Sequence, residues 1–243
     1  SSFANVEEYN GTSWTEVTDI PTARGRMGGA GKTQTAALLA GGGPPATTNS
    51  FEYDGTNWTA GGNINTARYG LRGNGTQTSA LVYGGDVGSG TYVTASTESY
   101  DGTTFTATAN LGTAKVDVGS AGADNTSGVA FGGATFPNTS ATEEFTISLS
   151  ATTAGAWASG GNLNTARNTL GGCGTQTAAL AFGGHNATTW TGVTEEYNGS
   201  SWSEQNDLNE ARYDIRGCGT QTAALAFGGQ DPNPRALTEE YDG

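Results

Sequence analysis

Histidine and cysteine are scarce in this 243-residue chain, and this limits the catalytic and metal sites that it could form. The one histidine, His185, would have to serve any Ser-His-Asp or Cys-His arrangement, and a zinc site would need further ligands. Carboxylates are plentiful, so a glycosidase pair stays open as an alternative. We expect no catalytic residue, no bound metal and no cofactor.

Basic residues are also few, and this limits the classes of binding partner that we expect. Ten Lys and Arg against 23 Asp and Glu give a net charge of −13. Nucleic acids and anionic membranes bind clustered basic side chains, so we expect neither as a partner. No apolar run approaches the roughly 18 residues of a membrane-spanning helix. Residues 1–5 lack the basic and apolar regions of a signal peptide.

What the chain does contain is one segment repeated five times. In each copy a Tyr or Phe is followed by a second aromatic residue, then by a base ten residues later, and then by Gly-Gly. The second aromatic residues are Trp14, Trp58, Phe105, Trp157 and Trp202, and the bases are Arg24, Arg68, Lys115, Arg167 and Arg212. Successive bases are 44, 47, 52 and 45 residues apart. A period of this size predicts a propeller or a solenoid.

Local signals predict four short strands per repeat. The third strand comes first in the chain, at 6–9, and an Asn-Gly or Asp-Gly turn leads to the fourth strand at 13–17. In later copies we predict a glycine-rich first strand such as 67–73 and an apolar second strand such as 175–182. The fourth repeat has a longer hairpin tip at 146–156.

The order Gly-Gly, Tyr-Asp-Gly, Trp and Thr-x-Arg, as in Tyr53-Asp54-Gly55, Trp58 and Thr66-Ala67-Arg68, resembles the kelch repeat over residues 6–243. The resemblance implies an all-β, five-bladed β-propeller of four-stranded blades. It implies no single activity, because kelch propellers include protein-binding adaptors, glycan-related proteins and a copper oxidase group that needs two histidines. The near-identical Thr-Gln-Thr-Ala-Ala-Leu-Ala-Phe-Gly-Gly copies also resemble kelch-like proteins of tailed, particularly marine, bacteriophages.

We predict a single domain over residues 1–243, because repeats share their buried faces. Its repeats are 6–50, 51–97, 98–142, 143–194 and 195–238, with a partial sixth copy at 239–243. We expect strands 6–10 and 13–17 to complete the last blade beside 211–229, so that N- and C-terminal strands mix and close the ring. Residues 237–241 are a second candidate for that place.

The bases and aromatic residues occupy the same positions in every copy of the repeat, which indicates a structural role. We expect each base to pair with a Glu of the Glu-Glu-Tyr strand and tie blade to blade, and the aromatic residues to fill the blades. The alternative for the bases is a ring at the pore that binds a carboxylate or phosphate. The cysteines, Cys173 and Cys218, occupy one repeat position, and we expect small buried residues, with a disulfide as the alternative.

The residues that do not repeat are the better functional candidates. They follow each Gly-Gly, at 44–49, 86–96, 134–141, 185–193 and 230–236, and we expect these loops to surround one mouth of the propeller. Exposed aromatic and polar side chains there can stack on a sugar or anchor a protein. The candidate ligand-binding residues are Tyr92, Phe136, His185, Trp190, Asp86, Asp231 and Arg235.

The expected function is therefore a non-enzymatic binding or structural module. We expect an extracellular or virion-surface location, as an adhesin or a virion appendage. Its partner would be a cell-surface glycan or protein, or another virion subunit. The alternatives are a carbohydrate-active enzyme that uses carboxylates and a pure assembly scaffold without a ligand.

Overall fold

All regular structure within residues 2–88, 92–147 and 155–243, the ranges that the computed structural model describes, is β-strand. The N-terminal sheet is β1 (Val6–Tyr9) and β2 (Trp14–Val17). The first blade is β3 (Gly28–Thr33), β4 (Ala36–Ala40), β5 (Ser50–Tyr53) and β6 (Trp58–Ala60); the second is β7 (Arg72–Thr76), β8 (Ser79–Tyr83), β9 (Thr97–Tyr100) and β10 (Phe105–Ala107). The third is β11 (Gly119–Asp124), β12 (Ser127–Phe131), β13 (Thr142–Thr146) and β14 (Ala156–Gly160); the fourth is β15 (Gly171–Thr175), β16 (Ala178–Phe182), β17 (Thr194–Tyr197) and β18 (Trp202–Glu204). The fifth is β19 (Arg216–Gly219), β20 (Ala224–Phe227) and β21 (Thr238–Tyr241).

The blades are antiparallel meanders arranged around a central axis. Each strand pairs with the next one along the chain within its blade, and the first strands pack side by side in the order β3, β7, β11, β15 and β19. The prediction of an all-β, five-bladed β-propeller is confirmed. Four blades have four strands, and the fifth has three.

The inner strands begin later than predicted. The first strand of the second blade is Arg72–Thr76, not 67–73, because Gly70 has a φ of 66° that breaks the pleat before it. The apolar stretch 175–182 is not one strand either. Thr175 ends β15, β16 begins at Ala178, and Thr175 pairs with Ala178 across the tight turn between them.

The Asp-Gly and Asn-Gly turns between third and fourth strands are confirmed. Asp54 Oδ1 accepts backbone hydrogen bonds from Thr56 at 2.8 Å and Asn57 at 2.7 Å, and Gly55 has a φ of 91°. The side chain of the first turn residue thus replaces a backbone acceptor, while glycine supplies the left-handed conformation. In the fourth repeat, β13 and β14 form the expected longer hairpin, but residues 148–154 of its tip lie outside the described residues.

The predicted mixing of terminal strands in the last blade is wrong. The place beside β20 is taken by β21, and β1 pairs with β2. Thr238–Tyr241 follows β20 after one loop, so the local pairing needs a much smaller loop closure than pairing with the N-terminus. The N-terminal sheet lies instead between the fifth and first blades. Trp14 Nε1 donates to Thr238 Oγ1 at 3.1 Å, and Gln34 Nε2 donates to the carbonyl of Tyr9.

The hydrophobic core is divided into four clusters, each lying between two neighbouring blades. One cluster joins Val129 and Phe131 of the third blade to Leu170 and Trp202 of the fourth blade. The others join the first blade to the second, the second to the third, and the fourth to the fifth. A blade therefore buries its faces only against its neighbours, which is the stacking that a repeat period of this kind predicts.

Four of the five repeated bases form buried ion pairs with a third-strand Glu. The pairs are Arg68–Glu98 at 2.7 Å, Lys115–Glu143 at 2.8 Å, Arg167–Glu195 and Arg212–Glu239 at 2.7 Å. Base and Glu belong to the same blade, so the pair holds the incoming connector to its own blade and does not tie blade to blade as predicted. The fifth base, Arg24, lies 4.8 Å from the ring centroid of Phe51, which stands where the Glu would be.

Contacts between blades use other repeat positions. Tyr100 and Tyr197 each donate a hydrogen bond of 2.5 Å to a Glu of the preceding blade, Glu52 and Glu144 respectively. Where that Glu is replaced by Ser99, the following blade has Phe145 in place of the tyrosine, so neither side leaves a buried polar group unpaired.

The repeated indoles also connect neighbouring blades, by a hydrogen bond and a ring contact to the preceding blade. Trp202 Nε1 donates to Thr142 Oγ1 of the preceding blade at 3.0 Å, and its ring centroid lies 4.8 Å from that of Phe131. Trp157 makes the same pair of contacts with Thr97 and Tyr83.

The two cysteines are free thiols. Cys173 is buried, as predicted, but Cys218 is exposed although it occupies the same repeat position. The alternative of a disulfide between them is therefore not observed.

Removing the base of a fully buried pair should destabilise the fold strongly. Arg167→Ala leaves the Glu195 carboxylate buried without its partner, and we expect a loss of about 3–5 kcal/mol in unfolding free energy, measured by urea denaturation. Arg235→Ala is the matched control, because Arg235 pairs with Asp231 at the surface and should leave the midpoint nearly unchanged. Equal losses in the two variants would contradict the structural role of Arg167.

The tyrosine–glutamate contacts should make the fold sensitive to alkali. Burial and then the bond to Glu52 raise the pKa of Tyr100 to about 12, and burial and Glu144 do the same for Tyr197. A raised folded-state pKa gives stability that is complete below the unfolded value of 10.0 and lost as pH rises towards about 12. Tyr100→Phe/Tyr197→Phe should therefore show a shallower fall of the urea midpoint over this window. An unchanged slope would refute the assignment.

Candidate functional site

Each blade has an entrance segment, which is the stretch between its repeated base and its first strand. The loops after Gly-Gly lie beside the entrance segments of their own blades. Isolated β-bridges join Tyr69 to Asp86, Val116 to Ala134, Asn168 to His185 and Tyr213 to Gln230. The entrance segments also run past the axis, so the loops gather at the same mouth of the propeller as the axial residues. Neighbouring loops touch as well, because Asn138 Nδ2 donates to the carbonyl of His185 at 2.7 Å.

Around the axis, the five residues two positions after each repeated base form an axial ring. Its members are Arg26, Gly70, Asp117, Thr169 and Asp214, and all have φ between 53° and 66°. The backbone N–H of each of the last four donates to the carbonyl of the preceding member, at 2.7–3.0 Å. Holding non-glycine residues left-handed costs free energy, which these interblade bonds offset.

The axial ring carries charge of both signs. Arg26 forms an ion pair with Asp117, and Arg72 Nη2 lies 3.8 Å from the other oxygen of the same carboxylate. Arg216 is close enough to Arg72 that desolvation and then Arg72 lower the pKa of the Arg216 guanidinium to about 9. Asp214 accepts a hydrogen bond of 2.9 Å from Gln230. The pore mouth thus holds three guanidinium groups and two carboxylates in a chain that is acidic overall.

A cleft of about 300 Å³ opens beside this ring, between the fourth and fifth blades. Its lining residues are Asn168, Thr169, His185, Trp190 and Tyr213. The Trp190 indole is 37% exposed, and its ring centroid lies 6.2 Å from that of Tyr213. His185 Nδ1 accepts a hydrogen bond from the backbone of Ala187, so Nε2 is the nitrogen that can donate when the imidazole is neutral.

The structure places the predicted ligand-binding residues in three different situations. His185 and Trp190 line the cleft together, while Tyr92 and Phe136 are exposed on other loops, at 63% and 57%. Residues 89–91 of the Tyr92 loop lie outside the described residues.

The three charged candidates are occupied by other partners. Asp86 is buried and accepts a bond of 2.8 Å from the backbone N–H of Gly88, which makes it a loop-forming residue. Asp231 and Arg235 pair with each other in two bonds, at 2.5 and 2.7 Å.

Sequence reasoning missed Asn168, Thr169, Tyr213 and the axial ring. The ring follows the repeated bases at a constant offset of two, but its residue types differ from copy to copy, so identity between repeats does not reveal it. A usable signal is the presence of Gly and Asp at that offset, since both tolerate left-handed backbone better than most residues.

A second cavity, of about 140 Å³, is a packing feature of the blade stack. It lies between the fourth and fifth blades at the outer strands, lined in part by Phe182, Thr194 and Tyr241. The fourth-strand indole of Trp202 fills the same place one blade earlier, against Phe131 and Thr142. Its repeat position therefore argues against a ligand site.

The described residues hold neither a candidate metal site nor a candidate membrane-spanning helix. Across the described ranges, no three His, Cys, Asp or Glu side chains cluster in a way that could hold a metal ion. The same residues include no helix with the length and hydropathy to span a membrane.

Comparisons with known proteins bear on the fold. No protein-family model and no curated protein matches the chain. Among solved structures, the one described as "Structure of YjhT", a propeller, superposes with a TM-score of 0.76 at 12% identity, covering 96% of this chain and 85% of that chain. At this identity the likeness shows a shared fold alone, and the chain has the fold of a β-propeller.

Proposed function

We propose that the chain is a non-enzymatic binding module, a kelch-type propeller exposed on a virion appendage, that recognises a cell-surface glycan. The cleft between the fourth and fifth blades is the observation that carries this proposal. The kelch and bacteriophage assignments draw on the order and near-identity of the repeats. An extracellular location follows from the proposed role as an adhesin.

The chemistry of the cleft suits a neutral or weakly charged sugar. A partly exposed indole next to a phenol offers a flat apolar surface for the C–H face of a pyranose ring. An amide at Asn168, a hydroxyl at Thr169 and the imidazole of His185 supply the few polar groups that fix a ligand's orientation. These residues lie on loops held by the blades beneath them, which is the usual arrangement of a binding site on a rigid scaffold.

A carbohydrate-active enzyme is the second candidate, and the geometry favours it less. Two carboxylates of the axial ring flank Thr169 of the cleft: Asp117, which forms an ion pair with Arg26, and Asp214, which accepts a bond from Gln230. The lining of the cleft itself contains no Asp or Glu among the described residues. A glycosidase needs two carboxyl groups that can reach the scissile bond, and both of these carboxylates are engaged by neighbouring side chains.

Glycan binding should depend on the cleft and not on exposed aromatic residues in general. On a broad glycan array the wild-type chain should bind a restricted set of sugars, and Trp190→Ala should weaken that binding about tenfold or more. Tyr92→Ala is the matched control, because it removes a more exposed ring from another loop of the same face and should change affinity little.

Two outcomes would overturn this assignment. Trp190→Ala that binds as the wild type does would remove the cleft from the site. A wild-type protein that ignores every sugar but associates with another virion subunit would favour the assembly scaffold.

A further inference from the structure

The contacts between blades follow one pattern at four boundaries. The backbone N–H of the second Gly in each Gly-Gly donates to the carbonyl of the next repeated base, as Gly184 does to Arg212 at 2.9 Å. At two of these boundaries the ring before Gly-Gly also packs on a glycine of the next first strand, Phe131 on Gly172 and Phe182 on Gly217. A Cβ at Gly217 would lie 2.2 Å from Phe182, so only glycine fits there. These contacts seal each blade against the following one.

The boundary between the fifth and first blades lacks this seal. Among the described residues, Gly229 N makes no bond to the carbonyl of Arg24, and no hydrophobic cluster joins the two blades. The chain of backbone bonds along the axial ring likewise runs from Arg26 to Asp214 without a described bond that joins its two ends.

The missing contacts leave part of the fifth blade exposed, as a comparison with an identical stretch of the fourth blade shows. Residues 172–184 and 217–229 have the same thirteen amino acids in the same order. In the fourth blade, Leu180 and Phe182 are buried and Cys173 is 6% exposed, whereas the equivalent Leu225 and Phe227 are partly exposed and Cys218 is exposed. The difference comes from the neighbours, because the sequences do not differ. The outward face of β19 and β20 is an apolar surface, and none of the described residues packs on its inner part.

The first blade presents a matching open face on the other side of this boundary. Gly29 and Gly31 of β3 are exposed, and Leu39 of β4 is partly exposed. In the second blade a Cβ at Gly73 would meet the carbonyl of Gly29 at 2.9 Å, which is contact with the preceding blade. A Cβ at Gly29 would meet only atoms of its own blade.

The N-terminal sheet stands between these faces as the outer half of a blade. Trp14 packs on Phe227 with ring centroids 5.2 Å apart, as Trp202 packs on Phe131 one boundary earlier. On the other side, Trp58 Nε1 donates to the carbonyl of Thr18 at 3.0 Å. Every other third strand pairs with a second strand on its inner edge, but among the strands that the structure describes β1 pairs with β2 alone. The inner edge of β1 therefore offers unpaired backbone groups between two apolar faces.

The carboxylate of Glu7 on β1 indicates that a strand pairing there should bring a basic side chain. Glu7 occupies the repeat position of Glu98 and Glu195, which bind the bases Arg68 and Arg167. Within the described ranges Glu7 has no basic partner. An occupant that carries an Arg just before its first strand would complete the same ion pair.

We propose that the β1 edge and the two open faces form a docking site for one β-hairpin of this chain's own inner type. Such a hairpin has an Arg, a Gly-x-Gly first strand and an Ala-Leu-Ala-Phe second strand that ends in Gly-Gly. It enters between the fifth and first blades, and its second strand pairs with β1 by strand addition. Its first-strand glycine meets Phe227, and its Arg meets Glu7.

A labelled peptide of residues 166–184, with Cys173→Ser to prevent oxidation, is the direct probe. Titrated with the whole protein, it should bind saturably at one peptide per chain and raise the thermal midpoint. A peptide with Arg167→Ala should bind about tenfold or more weakly, and so should one with Gly172→Val, whose side chain would meet Phe227. On the protein side, Glu7→Gln should weaken the parent peptide but leave the Arg167→Ala peptide unaffected. Glu204→Gln on an outer strand is the matched control.

A fusion in which residues 166–190 precede Phe3 covers the case of an insoluble peptide. It should raise the urea midpoint above that of the parent, and Glu7→Gln should abolish most of the gain. Peptide binding that is indifferent to Glu7, Arg167 and Gly172, or a fusion with no gain in stability, would overturn the proposal. Sedimentation that shows a dimer unaffected by Glu7→Gln would overturn it in favour of a second copy of the chain.

Discussion

No blade of this propeller is complete without the blade on each side of it. In the fourth and fifth blades the first strand carries glycine where the aromatic ring of the preceding blade presses on its backbone, as Phe182 does on Gly217. The hydrophobic clusters consequently lie between blades and not within them. The polar contacts that recur with the repeat, from Tyr100 to Glu52 and from Trp202 to Thr142, also cross these boundaries. The fold is stable as a stack, and its weakest place is where a neighbour is absent.

This constraint separates the residues that build the scaffold from those available for binding. Side chains at the repeated positions make contacts between blades or within a blade. This includes the repeated bases, for which the alternative prediction was an anion-binding ring at the pore. Positions that vary lie on the loop face and the axial ring, where the blades beneath hold them in place. The cleft is built from both of these variable regions. Trp190 comes from a loop after Gly-Gly, and Tyr213 comes from an entrance segment beside the axial ring.

The sequence predicted the parts of the fold that depend on repetition. The period, the Asp-Gly turns and the pairing of Arg167 with a third-strand Glu could be inferred because each occurs in several copies. The strand bounds could not, since the left-handed residue at Gly70 and the tight turn after Thr175 leave no mark on apolar patterning. The place of the N-terminal sheet was equally hidden, because Val6–Tyr9 and Thr238–Tyr241 carry the same signal. In the candidate site, exposure of Trp190 was predictable, but its meeting with Tyr213 depends on how two blades stack.

Native-state hydrogen exchange tests the dependence of each blade on its neighbours most directly. Residues 172–184 and 217–229 are identical in sequence, so their intrinsic exchange rates match and any difference in protection reports the surroundings. The account predicts that the amides of β16 exchange much more slowly than those of β20, whose outward face is open. Equal protection of the two copies would mean that each blade is stable by itself, and would contradict the account.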